Sequence, residues 1–460
     1  MGSLSGALNI ALQSMLAEQG GIEVTSNNIA NVNTPGYARQ RANFAETDPV
    51  RFGNVTLGTG VELQGVSSLR DSILDLRDNQ ETQQQGQLNA FINGGQQIQA
   101  LFNEASGTGL QAPLTAFFTS LSQLSASPGD VNVRQGVLTA AQNLANAFNQ
   151  ATNNLTTIQR STDLSVSQSV GQINSLTTQI AAVNAQVQTA TSLGQNAGAF
   201  IDQRQQLINK LSNLIDVSQI DAGDGSLTLT TNSGAPLVVG AQSFQLTTQP
   251  DSTTGLQHVF SQGTDITSQI ASGELAGQLQ IRDQEIPSIQ SSLDALAYNL
   301  GNSVNLQNQA GYDLNGVKGG NLFNIPATAA GSASGIRVAT TDPTKIAASG
   351  GPAPGSPGDN TNANTLLALQ SQTIVNGQTP LNAYSNLVFK IGSDVSNAQS
   401  NQQAGSLALQ QIQNLQGAVS GVDINEEAAN LIRYQNAYQA SAQVSSVINS
   451  LLQTTLNMVQ

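Results

Sequence analysis

The end of the chain carries the run DINEEAANLIRYQNAYQASAQVSSVINSLLQTTLNMVQ, which spans residues 423–460. Asp423 at its start is a favoured N-cap residue, because its carboxylate can accept a hydrogen bond from a backbone N–H of the first turn. Glu426 follows at the position of a capping-box partner, and Glu426 and Glu427 both suit the positive end of a helix dipole. The run predicts a terminal helix whose adjacent carboxylates serve its N-terminus.

A second helix is predicted at the start of the chain, over about residues 4–31. Its large apolar residues recur at intervals of seven, which is typical of a coiled-coil-like seam. The terminal helix carries apolar residues that can pair with it. The predicted seam consists of Leu8, Met15, Ile22, Val444, Ile448 and Leu451.

The spacing of the apolar residues changes along the region between these two helices. Residues 72–158, 163–191 and 283–309 have helical apolar spacing, whereas residues 217–280 are rich in Thr, Val, Leu and Gly and alternate like strands. Near the start, residues 55–57 and 61–63 flank Gly58-Thr59-Gly60 and predict a hairpin.

We therefore predict an α+β fold that is mainly α, elongated, with nested domains. The paired terminal helices form one domain, a long helical bundle forms the second, and a small β-rich domain is inserted in the bundle. The predicted boundaries are 1–40 with 421–460 for the terminal domain, 41–215 with 281–420 for the helical rod domain with short β-hairpins, and 216–280 for the β-rich domain.

The composition excludes several classes of function. Only 10% of the residues are charged, the net charge is −14, and no Lys/Arg run occurs, so nucleic acid and anionic membranes are poor partners. Cysteine is absent and His258 is the only histidine, which excludes disulfides and Cys/His zinc sites. No apolar stretch long enough to span a membrane and no conventional signal peptide is visible.

No residue pattern predicts catalysis, a metal or a cofactor. A Ser-His-Asp triad would have to use His258, which lies in the β-rich segment and is better explained as a surface residue. Residues 221–225 and 313–316 faintly suggest calcium loops, but neither has the full ligand spacing with a closing Glu, so we interpret both as turns.

The run SNNIANVNTPGY at residues 26–37 ends the first helix. Asn tolerates the left-handed conformation at a helix end, and Thr34-Pro35-Gly36 suits a type II turn. Its asparagines also supply uncharged donors and acceptors for contacts between subunits.

This run and residues 420–444 resemble the N- and C-terminal motifs of the bacterial flagellar axial proteins, the family of rod, hook and hook-associated proteins. The continuation at residues 37–40, the helical stretch after residue 72 and the run IDQRQQLI at residues 201–208 are most similar to its hook-associated members. Carried over from the motifs, the assembly residues are Asn27, Asn28, Ile29, Asn31, Asn33, Thr34, Pro35, Gly36 and Tyr37 at one end, and Asp423, Glu426, Asn430, Leu431, Arg433, Tyr434 and Tyr438 at the other.

The resemblance implies a non-enzymatic structural subunit at the junction between hook and filament, without a cofactor. It implies an extracellular position after export through the flagellar type III apparatus, without a cleaved signal peptide. The implied partners are other copies of the chain, hook protein, a second hook–filament junction protein and a flagellar export chaperone. Arg433, Tyr434 and Tyr438 are candidates for specific contacts between subunits, although they serve equally well as residues that pair the two helices.

Two alternatives stay open from the sequence. In the first alternative, the chain is another axial protein, such as a hook or filament subunit, although the helix-rich segment 72–215 argues against hook protein. Alternatively, it is a secreted adhesin or hydrolase on a helical stalk. We also expect the terminal helices to be largely disordered in the free subunit, because two paired helices leave much apolar surface in water.

Overall fold

The computed structural model describes residues 2–52, 55–104, 107, 109–352 and 358–459. Its N-terminal part contains α1 (Gly2–Ala30), β1 (Gln40–Glu46), β2 (Val50–Phe52), β3 (Val55–Leu57), β4 (Val61–Ser68), α2 (Ser72–Leu101), α3 (Gln111–Ala126), α4 (Val131–Ser192) and α5 (Gly198–Leu214). The predicted domains also include residues 1, 53–54, 105–106, 108, 353–357 and 460, which lie outside the described residues.

The remainder contains β5 (Ser218–Asp221), β6 (Leu227–Thr230), β7 (Pro236–Val239), β8 (Gln242–Ser243), β9 (Leu246–Pro250), β10 (Gln257–Ser261), β11 (Thr264–Asp265), α6 (Gly273–Gln280), α7 (Ile286–Ala310), β12 (Phe323–Asn324), α8 (Ser332–Gly335), β13 (Arg337–Val338), α9 (Thr361–Ala368), α10 (Pro380–Ser420) and α11 (Ile424–Val459). Helices dominate, and the strands form small antiparallel sheets. The predicted fold class, α+β and mainly α, is confirmed.

The first and last helices pack side by side, as the matching patterns at the two ends predict. The face of α1 that meets α11 is built largely from small residues, including Ala11, Ala17, Gly21 and Thr25, which are buried. Small side chains allow two helix axes to approach closely. The large apolar residues of α1 flank this face instead of filling it.

The strands after α1 form two nested ladders. β1 pairs with β4 from Gln40↔Ser68 to Glu46↔Val61, and the short pair β2–β3 extends from its far end. The predicted hairpin between residues 55–57 and 61–63 is therefore wrong. The chain pairs β4 with β1 because that register gives a long ladder that also packs along α1, and Gly58–Gly60 only connects the two ladders.

Helix α4 runs without a break over 62 residues, where the sequence predicts two helices separated near residues 159–162. Those residues are polar but include neither Gly nor Pro, so nothing in the backbone ends the helix. The hydroxyls of Ser161 and Thr162 both donate to the carbonyl of Ile158 and so remain compatible with the helix.

The buried apolar residues form two clusters that share α4. One cluster joins the first part of α4 to α2, α3, α7, α9 and α10. The other joins the second part of α4 to α5, α6 and strands β6, β7, β9 and β10. Helix α4 thus connects the bundle to the β-rich region, and the strands pack on α4 and α5.

A π-helical turn at Ile281–Glu285 lies where the two clusters meet. The helix that contains it begins at Gly273, earlier than the predicted start near Asp283. The turn carries Arg282, whose fully buried side chain donates to Oδ1 of Asp163 on α4 at 2.7 Å. It also forms an ion pair with Asp283 at 2.7 Å, so the buried guanidinium is compensated.

Candidate assembly site

Asn28 lies at the centre of the contacts between the two ends of the chain. It belongs to the last turns of α1 and is 1% exposed. Its amide nitrogen donates to the carbonyl of Gln40 at 2.8 Å and to Oε2 of Glu427 at 3.0 Å. Its Oδ1 accepts from the hydroxyl of Tyr37 at 2.8 Å and from the backbone N–H of Gln40 at 2.9 Å. The side-chain amide thus donates two hydrogen bonds and accepts two, and these bonds hold α1, β1 and α11 together.

Arg39 binds both glutamates at the start of α11. Its Nε donates to Glu427 at 2.7 Å, and its two terminal nitrogens donate to Glu426 at 2.6 and 3.0 Å. The arginine lowers the pKa of the Glu426 carboxyl through these bonds and through its charge. The side chain of Glu427 is 3% exposed whereas that of Glu426 is 56% exposed, so the Glu427 pair is the less screened of the two.

The start of α11 follows the predicted cap only in part. Oδ1 of Asp423 accepts from the backbone N–H of Asn425 at 2.8 Å, as an N-cap residue does. Glu426 and Glu427, by contrast, bind Arg39 from the other end of the chain. The capping interpretation of these carboxylates was therefore incomplete, because a local pattern cannot show a partner so distant in the sequence.

The predicted type II turn is confirmed at Thr34-Pro35-Gly36. The backbone N–H of Tyr37 donates to the carbonyl of Thr34 at 3.2 Å, and Gly36 has φ +77°. A positive φ at the third position is the reason that this turn uses glycine. The hydroxyl of Thr34 also donates to Oδ1 of Asn31 at 3.1 Å, which ties the turn to the end of α1.

The loop after this turn lies against α5. Gln206 donates to the carbonyl of Pro35 at 2.6 Å, and Oδ2 of Asp202 accepts from the backbone N–H of Ala38 at 3.2 Å. Oδ1 of Asp202 accepts from Arg70 at 2.9 Å. The sequence predicted no site role for Asp202, Gln206 and Arg70. Asp202 and Gln206 lie in the run IDQRQQLI, so the resemblance of that run was the available signal.

Burial changes the acid–base properties of this region. Burial raises the pKa of Tyr37 to about 12, with further contributions from the negative charges of Asp202 and Glu427. Tyr37 is therefore a neutral hydrogen-bond donor at physiological pH. Burial also raises the pKa of Asp202, although its bond with Arg70 opposes the shift.

Tyr434 packs at the contact between α1 and α11. A Cβ atom added to Gly21 would lie 3.1 Å from its ring, so the tyrosine occupies the space that this glycine leaves. Phe44 of β1 contacts the same ring with a centroid distance of 5.8 Å, and Arg433 stacks on it at 5.0 Å. Burial raises the pKa of Glu18 on α1, and the charge of Arg433 opposes this shift.

The other residues of the predicted motifs vary in their exposure. Asn27 and Asn33 are exposed, and Asn27 accepts a bond from Asn31 at 2.7 Å. Several others are half-buried in the single chain: Ile29, Asn31, Asn430, Leu431 and Tyr438. The motifs thus contribute both to internal contacts and to the surface of the helix pair.

The predicted seam residues also divide into two groups. Ile448 is 7% exposed, and Leu8, Met15 and Ile22 are half-buried. Val444 and Leu451 are about half exposed. With Leu12 and Leu16 of α1, they form part of an apolar surface that the chain itself does not cover.

Within the described residues, no group of three or more acidic or histidine side chains could hold a metal ion. Nδ1 of His258 bonds Oδ2 of Asp265 at 2.7 Å on the surface of the β-rich region. The carboxylates of residues 221 and 313 accept backbone N–H bonds within their own loops, as turns do. None of the described helices has the length and apolar character needed to span a membrane.

Comparisons with known proteins agree with this arrangement at both ends. A family model for the flagella basal body rod protein matches residues 8–37, and one for the C-terminal part of the flagellar basal body rod FlgEFG protein matches residues 415–458. These matches cover the two helices that Asn28 and Arg39 join. The paired ends therefore define a flagellar axial protein.

The middle of the chain identifies the family more closely. A model described as the helical domain of flagellar hook-associated protein FlgK matches residues 95–323. The chain is similar to flagellar hook-associated protein 1 of Salmonella typhimurium, at 25% identity over 99% of this chain and 100% of that protein. It is also similar to that of Bacillus subtilis, at 27% identity over 98% and 97% of the two chains. The chain belongs to the flagellar hook-associated protein 1 family.

A solved structure shows the same fold. The flagellar hook junction protein FlgK from Burkholderia pseudomallei superposes with a TM-score of 0.66 and 19% identity, covering 75% of this chain and 100% of that one. The resemblance inferred from the terminal motifs is confirmed, and the alternatives of a hook subunit, a filament subunit or a stalked adhesin are not favoured.

Proposed function

We propose that this chain is a structural, non-enzymatic subunit that forms the junction between the hook and the filament of the bacterial flagellum. The observation that carries the proposal is the buried cluster of Asn28, Arg39 and Glu427, which joins the two ends of the chain at the segments that match axial proteins. The cluster sets the direction in which the paired helices leave the body of the molecule.

The uncovered apolar surface of the helix pair supports assembly with neighbouring subunits. Its members are Leu12, Leu16, Ile432, Val444, Val447, Leu451 and Leu456, all about half exposed or more. Burial of the exposed half of each such side chain contributes roughly 0.7–1.5 kcal/mol. Enclosure by neighbouring subunits therefore stabilises helices that the free subunit leaves largely disordered.

This role assigns positions to the three predicted domains. The terminal domain of residues 1–40 and 421–460 forms the inner layer of the polymer, and the helical rod domain of residues 41–215 and 281–420 surrounds it. The β-rich domain of residues 216–280 lies outermost. From Tyr434 to Gln460 the sequence contains no charged side chain, which suits close-packed helices because a buried unpaired charge is unfavourable.

The partners follow from the same role. The chain contacts other copies of itself, hook protein on one side and a second junction protein on the other. An export chaperone shields the apolar C-terminal helix before assembly. The subunit reaches its extracellular position through the flagellar export apparatus.

Deletion of residues 424–460 tests the proposal. Both apolar clusters of the body lie almost wholly outside this segment, so the truncated chain should retain its helical content and thermal transition. Cells that produce it should secrete flagellin into the medium and fail to retain filaments. Normal filaments on such cells would contradict the proposed junction role. Slow amide exchange of residues 5–30 and 430–458 in the free subunit would contradict the proposal that the terminal helices fold on assembly.

A further inference from the structure

Helices α1 and α11 pack antiparallel in a fixed register. Their contacts recur every seven residues in both helices, which is the repeat of a coiled-coil-like seam. The contacts join Asn28 to Glu427, Gly21 to Tyr434, and Ser14 to Ser441. The register allows the height of any residue of α1 along the pair to be compared with that of a residue of α11.

The two helices carry few charges away from the cluster at their base. Residues 1–38 contain only Glu18 and Glu23, and residues 428–460 contain only Arg433. The charge of Arg433 opposes the rise in the pKa of Glu18, so Glu18 is partly compensated within the chain. Among the described residues, the exposed Glu23 has no ion-pair or side-chain hydrogen-bond partner. Its charge is therefore left without compensation.

Glu23 lies on the uncovered apolar face of α1. Leu16 follows Leu12 by four residues and Glu23 follows Leu16 by seven, so the three side chains share one face of the helix. Both leucines are more than half exposed. A subunit that covers these leucines also covers Glu23, and the burial of an unpaired carboxylate is unfavourable. The covering subunit therefore has to supply a cation.

Arg433 lies on an uncovered apolar face of α11. Val444, Val447 and Leu451 follow it by 11, 14 and 18 residues, which is the spacing of one helix face. These three side chains are about half exposed, and Arg433 is exposed. Among the described residues, its guanidinium makes only a long hydrogen bond of 3.4 Å, to the hydroxyl of Tyr434. A guanidinium has several donors, so it can bind a further carboxylate.

Glu23 and Arg433 lie at the same height on the helix pair. The antiparallel register places Glu23 within one residue of the level of Arg433, or about 1.5 Å along the axis. Each face carries an exposed apolar residue eleven positions farther from the base, Leu12 on α1 and Val444 on α11. The two faces therefore match, in charge and in the position of their apolar residues, when two copies lie side by side.

We propose that Glu23 on α1 of one copy forms an ion pair with Arg433 on α11 of a second copy in the assembled layer. Leu12 and Leu16 then pack against the face of α11 that carries Val444. The contact is head-to-tail, so its repetition produces a ring or a helical layer. The pair compensates a charge that enclosure buries, and it fixes the register between copies. The inference rests on the proposed function, because it requires an assembled layer of copies.

An exchange of charges between two co-produced chains tests the contact. In cells that lack the original chain, Glu23→Arg and Arg433→Glu should each lower the number of filaments per cell about fivefold, because like charges then meet between copies. Cells that co-produce both variants should recover most of the filaments, since opposite charges meet wherever the two chains alternate. As a control, Arg160→Glu makes the same charge change at an exposed position of α4 and, co-produced with Glu23→Arg, should give no recovery.

The outcomes show where the pair forms. Normal filaments with either single variant, no recovery on co-production, or equal recovery with the Arg160 control would overturn the contact and leave the proposed function intact. Recovery only when one chain carries both substitutions would assign the pair to a single chain and would also overturn the contact. Hook–filament particles of the original cells that do not contain the chain would refute the proposed function and the contact with it.

Disulfide cross-linking measures the same contact directly, because the chain has no native cysteine. Glu23→Cys and Arg433→Cys, co-produced as separate chains, should give a covalent dimer of twice the 47.6 kDa chain mass after mild oxidation of isolated particles. In the control, Gln435→Cys replaces Arg433→Cys, because residue 435 is also exposed but lies on nearly the opposite face of α11. The control should give little dimer, and equal yields from the two combinations would overturn the proposed pairing.

Discussion

The side-chain amide of Asn28 donates a hydrogen bond of 3.0 Å to the carboxylate of Glu427, although 399 positions separate the two residues. Both residues are almost fully buried. The bond therefore belongs to the interior of the chain, where water does not compete for its donor or acceptor. It is the point at which the start and the end of the chain become one structural unit.

Asn28→Ala should loosen this unit. The substitution removes four hydrogen bonds and leaves the hydroxyl of Tyr37 and part of Glu427 without partners. We expect a local destabilisation of about 3 kcal/mol. Faster amide exchange in residues 31–40 and 424–429 should reveal it, together with reduced swimming in soft agar.

Asn33→Ala is the matched control. Asn33 belongs to the same motif but is exposed, so its removal should change amide exchange in the free subunit little. An effect of Asn33→Ala as large as that of Asn28→Ala would mean that the motif acts mainly through surface contacts.

The two glutamates at the start of α11 should respond differently to truncation. Glu427→Ala removes one acceptor of the Asn28 amide and leaves Arg39 with Glu426 alone, so we expect a loss of about 1–3 kcal/mol. Glu426→Ala removes an exposed ion pair, which contributes little to stability. In assembled particles, trypsin cleavage after Arg433 should accelerate more in the first variant than in the second.

Salt provides a further distinction between these glutamates. The small effect of Glu426→Ala should disappear at high ionic strength, because exposed charges are screened. Since Arg39 lowers the pKa of Glu426, its contribution is present at neutral pH and is lost only as the pH falls below the ordinary value of 4.5. A strong salt dependence of the Glu427 variant instead would contradict the assignment of buried and exposed roles.

The elements of the fold that depend on local pattern could be predicted from the sequence. The seven-residue spacing located α1, and Asp423 marked the start of α11. Pairings between segments that are distant in the sequence are harder to predict from it. Two ladders compete for the residues around Gly58–Gly60, and the tight-turn signal there favoured the wrong one, because the packing of β4 along α1 is not visible in a local window.

The assembly site shows the same limit. The motifs gave the residues that meet at the base of the helices, but not their partners. Arg39 lies 388 positions from Glu427, and Asp202 lies 164 positions from Ala38. Helix dipole and capping explain Glu426 and Glu427 adequately within their own turn, so nothing in the local sequence demands Arg39 as a further partner.

Asp78→Asn should stabilise the free subunit. Burial and the nearby charge of Asp75 raise the pKa of Asp78, so its ionised form opposes folding. The amide oxygen of asparagine can still accept from Asn209, and we expect a gain of about 1 kcal/mol at pH 7. Thermal unfolding of the two proteins checks this value.

The pH dependence of the Asp78 variant follows from the raised pKa. The original chain loses stability as the pH rises from the ordinary value of 3.8 through the native pKa, because the buried carboxyl must ionise. The advantage of the amide should therefore be absent at low pH, grow through this window and then remain constant. An advantage that is largest in acid would refute the prediction.

Two glycines of α1 should respond in opposite directions to alanine. Nothing lies within 4 Å of a Cβ atom at Gly6, so Gly6→Ala should favour the helix by about 0.5–1 kcal/mol. At Gly21 the new methyl would lie 3.1 Å from three atoms of the Tyr434 ring. The ring is also packed against Phe44, so it can move only by disturbing β1.

Gly21→Ala should therefore separate α11 from α1 near its start, despite the better helix propensity of alanine. In the assembled subunit we expect faster amide exchange in residues 424–440 and fewer filaments per cell, whereas Gly6→Ala should slow exchange in α1 and retain filaments. The double variant Gly21→Ala with Tyr434→Leu distinguishes steric overlap from an effect on α1 alone. If the ring is the obstacle, its removal should restore part of the protection, and no recovery would show that Gly21 is needed for another reason.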